Sequence, residues 1–137
     1  IKIFLDEIKK QDKTYPVFAG YTLIKDSKDY FSTQIPKIVF NDKKELIYTS
    51  RSPIPSNKRS EFIASYKQVC IYGYTFQALE LFGTLKKKTP IEEIEDLELL
   101  RFIELGETIK MVKLSDSSVS VDNPEDINKV ELILNKH

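Results

Sequence analysis

The chain has 137 residues, a length suited to one domain that buries its own core without disulfides or metals. Its 21 basic and 21 acidic side chains cancel, so it lacks the basic surface needed to track a phosphate backbone, and nucleic acid is not an expected partner. One cysteine, Cys70, excludes an internal disulfide, and one histidine, the terminal His137, excludes Ser/His, Cys/His and His-ligated metal pairs within the chain. Any chemistry must therefore rest on carboxylates, Arg, Lys or Tyr.

From Ile1 to Gln11 the apolar residues Ile1, Phe4, Leu5 and Ile8 alternate with charges. This is a helical stripe and not an export or transmembrane segment. The chain starts without methionine inside this element, so it is expected to be a fragment of a longer protein. Pro16 to Ile24 (PVFAGYTLI) is rich in β-formers and reads as a buried strand, with Asp26 to Lys28 as a turn. Lys37 to Phe40 and Glu45 to Ser50 flank a loop of Asn41, Asp42, Lys43 and Lys44, the spacing of a β-hairpin. Arg51 to Arg59 (RSPIPSNKR), with its two prolines, reads as an extended surface loop.

Gln68 to Tyr74 (QVCIYGY) is the next expected strand, with Cys70 as a small buried hydrophobe between Val69 and Ile71. With no disulfide to protect, a reducing, cytoplasmic setting is expected. Thr75 can cap a short helix with Phe76, Leu79 and Phe82 inward and Gly83 as its terminator. In Thr89-Pro90-Ile91-Glu92 the N-cap, the proline at the first helical position and the capping-box glutamate are all present. That helix is predicted to run to about Leu105, with Ile91, Ile94, Leu97, Leu100 and Ile103 inward, before Gly106 ends it. Thr108 to Leu114 follows as a strand. Asn123-Pro124-Glu125-Asp126 repeats the cap-then-proline pattern and opens a last helix through Ile127, Val130 and Leu134.

Alternating helices and strands predict an α/β fold over residues 1–137 as a single domain, a mixed sheet with flanking helices and the hairpin as an excursion from it. Four stretches in order, Leu46 to Pro55 (LIYTSRSPIP), Ile71 to Tyr74 (IYGY), Thr89 to Arg101 (TPIEEIEDLELLR) and Val121 to Val130 (VDNPEDINKV), resemble the C-terminal half of CMP-Kdo synthetases. Those enzymes couple CTP to 3-deoxy-manno-octulosonate, an eight-carbon acid sugar. The resemblance implies a partial nucleotide-diphospho-sugar transferase (GT-A-like) fold, a homodimer, and magnesium-dependent nucleotidyl transfer without membrane attachment. It also implies that the nucleotide-binding half, with its phosphate loop and first metal-binding aspartate, has no counterpart in these residues.

Carried over by position, Asp122 matches a magnesium-binding carboxylate, while Tyr72 and Glu98 match contacts to the sugar acid. Arg51 matches an arginine whose guanidinium suits a carboxylate or phosphate. Gln68 stands where the family commonly has a sugar-contacting histidine, and Leu99 where it commonly has a glutamine. These two departures leave open an amino-substituted sugar or another 3-deoxy sugar acid. By residue type alone, Tyr72 equally suits a core, Glu98 a solvated helix face, and Asp122 a helix cap. Two other functions fit the same scaffold: a non-catalytic dimerisation or ligand-binding module, and a sialic-acid-type cytidylyltransferase.

Overall fold

The computed structural model describes residues 1–115 together with Ile127, Glu131 and Leu132. Helix α1 (Lys2–Gln11) places Lys9 and Lys10 in its last turn, where cations suit the helix dipole. Of its apolar stripe, Phe4 is buried and Ile8 packs beside it, while Ile1 and Leu5 stay exposed. Ile8 approaches the sheet so closely that a Cβ at Gly73 would lie 2.5 Å from its Cδ1, which is why a glycine suits that point.

Strand β1 (Val17–Leu23) is buried along all but its last residue. Where a turn was expected after it, Asp26 accepts the Asp29 amide at 2.8 Å and caps a short helix, α2 (Ser27–Phe31). β2 (Lys37–Phe40) and β3 (Leu46–Ser50) form the expected hairpin, and β4 (Tyr66–Tyr74) follows the proline-containing loop. The remaining elements are α3 (Phe76–Thr84), α4 (Pro90–Glu95), α5 (Leu99–Glu104) and β5 (Ile109–Lys113).

The five strands make one mixed sheet in the order β3-β2-β4-β1-β5, with β1 parallel to β5 and antiparallel to β4. Alternation along β1 feeds two cores. Val17, Ala19 and Tyr21 join Ala78 of α3 and Leu99 and Phe102 of α5, whereas Phe18 joins Phe4 of α1.

The hairpin is not an excursion. β2 enters the sheet through two residue pairs with β4, Lys37↔Lys67 and Ile38↔Tyr66. Its far end curls back to the opposite edge, where Glu45 bridges Lys110 and the Met111 amide donates to the Lys44 carbonyl at 2.7 Å. The physical reason is apolar burial: Ile38 and Leu46 are core residues of this same chain, and Phe40 packs its ring on Tyr21 and Tyr66.

Two helices also depart from expectation. α3 buries Ala78, runs past Gly83 to Thr84 and leaves Phe76 and Leu79 exposed. The helix opened by the Thr89–Glu92 capping box stops at Asp96, which adopts the left-handed conformation (φ 53, ψ 51), and restarts as α5. Ile91 and Ile94 consequently face solvent while Leu97 and Leu100 are buried. Ile127, Glu131 and Leu132 are helical, and Asn123, Pro124, Val130 and Leu134 lie outside the described residues.

Candidate functional site

A β-bulge builds the most chemically distinctive part of the sheet. Ala19 of β1 pairs with Tyr72 of β4 but Gly20 pairs with Val69, so Cys70 and Ile71 have no partner on β1. Four residues of extended strand span about 13 Å. Here the bulge shortens that path, and Gln68 Nε2 donates to the Tyr72 hydroxyl at 2.6 Å. Ile71 packs with the α1 cluster, whereas Cys70 is exposed. The expectation of a buried thiol is thus corrected: the two unpaired residues leave the ladder's alternation, and only Ile71 reaches a core.

Tyr72 stacks on Tyr74 with centroids 6.1 Å apart, and Tyr74 stacks on Phe102 of α5 at 5.5 Å. This ties the bulged strand to the helix that follows Glu98. Burial, followed by the charges of Cys70 and Glu98, pushes the Tyr72 phenol well above its ordinary pKa. Burial and then Glu98 do the same to Tyr74. Both phenols therefore remain O–H donors at neutral pH. Glu98 itself is exposed at the residue before α5, and its carboxylate makes no capping bond to that helix. Gln68 Oε1, in contrast, is a buried acceptor without a hydrogen-bond partner among the described residues. Gln68 and Tyr72 are thus bonded neighbours that present an acceptor and a donor, and Glu98 sets a negative charge one turn before the Phe102 ring that stacks on Tyr74.

Arg51, directly after β3, bonds to backbone carbonyls. Its Nε donates to the Glu95 carbonyl at 2.7 Å, Nη1 to the Thr33 carbonyl at 3.1 Å and Nη2 to the Asp96 carbonyl at 3.2 Å. The Glu95 carboxylate answers from the helix side, accepting from Ser50 Oγ at 2.6 Å, the Arg51 amide at 2.9 Å and the Tyr48 hydroxyl at 3.3 Å. Burial raises the Glu95 pKa, but the bonds from Ser50, Arg51 and Tyr48 outweigh it and hold the group below the usual range. Beneath them Lys37 is fully buried, its ammonium donating to the carbonyls of Ser32, Ile35 and Arg51. Burial, and then the charge of Arg51, lower the Lys37 pKa. Sequence reasoning missed Glu95 because it sits in the acidic run Glu92 to Asp96, and Lys37 because a lysine opening a strand ordinarily stays in water.

Leu99 is part of the core with Phe102 and Ile109, away from any solvent-facing role. Asp122 lies outside the described residues. Among the described residues no group of three or more His, Cys, Asp or Glu side chains could hold a metal ion. No described helix is long and apolar enough to cross a membrane. A separate cavity of about 160 Å³ between β2 and residues 64–66 is lined by apolar side chains, Ser65 and Tyr66 and carries no charged group.

A mixed sheet flanked by helices, with a polar cluster on a bulged central strand, defines an α/β domain of the nucleotide-sugar transferase type. A cytidylyltransferase family model matches residues 1–109, and the chain belongs to that family. The 3-deoxy-manno-octulosonate cytidylyltransferase of Thermodesulfovibrio yellowstonii is 38% identical over 121 residues, which cover 83% of this chain and 47% of that protein. An 8-amino-3,8-dideoxy-manno-octulosonate cytidylyltransferase of Shewanella baltica is 37% identical over 69% of this chain and 38% of its own. A solved CMP:2-keto-3-deoxy-manno-octonic acid synthetase, complexed with CTP, superposes with a TM-score of 0.84 at 27% identity, covering 97% of this chain and 54% of that one. The chain thus spans about half the length of the curated relatives it matches.

Proposed function

We propose that this chain supplies the sugar-binding part of a cytidylyltransferase that couples CTP to a 3-deoxy-octulosonate, giving the CMP-sugar and pyrophosphate. In that reaction the anomeric hydroxyl attacks the α-phosphate of CTP and the bond to pyrophosphate breaks. Positioning and electrostatics dominate such transfers, so a chain whose one histidine is its last residue is no obstacle. The observation that carries the reading is Gln68 Oε1, a buried acceptor with no donor among the described residues, beside a phenol held protonated and a carboxylate that makes no capping bond to α5. Such an acceptor is satisfied by an O–H or N–H, and a polyhydroxylated sugar provides both the donor and the partner for Glu98. Arg51, its guanidinium committed to three carbonyls, is read as structural. Asp122, at the position the resemblance gives to a metal ligand, is proposed to contribute one carboxylate to magnesium, with CTP held mainly by the part of the relatives that this chain does not span.

The test is pyrophosphate release by the intact enzyme from CTP with a panel of 3-deoxy sugar acids, including both sugars named for the relatives and a sialic acid. Turnover with an octulosonate, a KM for that sugar raised by Gln68→Ala and Glu98→Gln, and a raised magnesium requirement in Asp122→Asn are expected. Turnover only with sialic acid, or with none of the panel, overturns the reading.

A further inference from the structure

The left-handed break between α4 and α5 is held from outside the two helices. In a continuous helix Glu98 would lie one turn above Ile94 and Ile91, and α4 turns both of those toward solvent. The break at Asp96 re-aims the chain, so that Leu97 and Leu100 enter the core, and Glu98 lies one turn before Phe102, whose ring stacks on Tyr74 next to Tyr72. A left-handed aspartate is an uncommon, mildly strained state that persists where surrounding contacts fix it. Those contacts come from the end of β3. Arg51 spans the break with bonds to the carbonyls of Glu95 and Asp96, and the Glu95 carboxylate is gripped in return by Ser50, the Arg51 amide and Tyr48. Lys88 adds an ion pair to the Asp96 side chain.

We propose that Glu95 and Arg51 are positioning residues for the sugar site, clamping β3 to the α4–α5 bend so that Glu98 is presented beside Tyr72. The proposal rests on the sugar-site reading given above. It assigns function to a glutamate whose carboxylate is taken up by Tyr48, Ser50 and the Arg51 amide, and it gives Arg51 a positioning role in place of the substrate contact the sequence resemblance implied. The coupling runs through a chain of direct hydrogen bonds and a fixed backbone bend, the physical form in which a remote side chain sets the geometry of a reacting one.

Two measurements on the intact enzyme test it. In steady-state kinetics, Glu95→Ala should raise the KM for the sugar acid about tenfold while leaving the KM for CTP unchanged, as Glu98→Gln does. Because both act through the same carboxylate, the double variant should be no worse than the poorer single one. Glu95→Gln, which keeps an acceptor for Ser50 and the Arg51 amide, should recover most of the loss. Additive losses in the double variant, or equal losses toward CTP, mean a merely structural role and overturn the proposal.

The second measurement is free of any substrate. With the Gln68 side-chain amide and Tyr72 ring carbons followed by NMR, Glu95→Ala and Glu98→Gln should shift the same signals in the same direction. Failure of Glu95→Ala to move them sinks the clamp. Shifts in both variants with no effect of Glu98→Gln on the sugar KM leave the clamp standing and overturn the sugar-site reading instead.

Discussion

Glu92 shows how a single residue in this fold can be read two ways. As the third residue of the capping box it accepts from the Thr89 amide at 3.1 Å, the role its sequence position predicts. It is also fully buried, and Arg101 grips it with Nε at 2.6 Å and Nη2 at 2.8 Å while the guanidinium lies over the Phe82 ring at 3.8 Å. Burial raises the Glu92 pKa, but the Arg101 bonds and charge, together with Thr89, outweigh it and the group sits below its ordinary value. Removing one partner of such a pair leaves an uncompensated buried charge, so Arg101→Met should destabilise the fold by about 3–5 kcal/mol in urea unfolding at neutral pH. The sign with pH follows from the lowered value. Stabilisation from this carboxylate is fully present above the ordinary value of 4.5 and is lost as pH falls through the lower folded value. Stability measured down through that window should fall more steeply in the parent than in Arg101→Met.

At the scale of elements, legibility tracked whether a feature is local in the chain. Thr75 and Thr89 cap where their sequence context says, because a cap needs only the next three residues. Gly106 ends its helix at φ 82 for the same kind of reason. The break at Asp96 and the bulge at Cys70–Ile71 were illegible, since each is fixed by a partner far along the chain: Arg51 in one case, the register of β1 in the other. The candidate site divides the same way. Gln68 and Tyr72 are brought together by the bulge, Glu98 follows directly on the break, and Arg51 bonds to carbonyls no pattern announces. Two glycines give a matched test of how far backbone freedom matters. Gly83 lies inside α3 with nothing within 4 Å of an added Cβ, whereas Gly106 has φ 82. Gly83→Ala should stabilise the protein by about 0.5–1 kcal/mol. Gly106→Ala should destabilise it by roughly 1–2 kcal/mol, although it too meets open space. Thermal unfolding of the two variants side by side checks both signs.

For the molecule as a whole, the question is what covers the hairpin. A hairpin this rich in apolar residues would suit an interface between two copies if it stood apart from the sheet, yet Ile38 and Leu46 are buried by the same chain and Phe40 and Tyr48 are partly so. Ile47 alone is left well exposed on the two strands. The contact of Glu45 with Lys110 and of Lys44 with Met111 brings the two edges of the sheet together, so the hairpin closes the core that α3 and α5 cover. A dimer built as the family resemblance implies therefore has other apolar surfaces to draw on, among them Phe76 and Leu79 of α3 and Ile1, Ile3 and Leu5 at the start of the chain. The distinction is measurable. If the hairpin belongs to the chain's own core, Leu46→Ala should lower stability by roughly 2–3 kcal/mol, toward the lower part of the range for a buried leucine. That loss should be independent of protein concentration, because no second chain takes part in the burial. Ile47→Lys should leave both the stability and the sedimentation profile unchanged. A Leu46→Ala defect that shrinks as the protein is concentrated, or an assembly that dissociates in Ile47→Lys, would return the hairpin to an interface between chains.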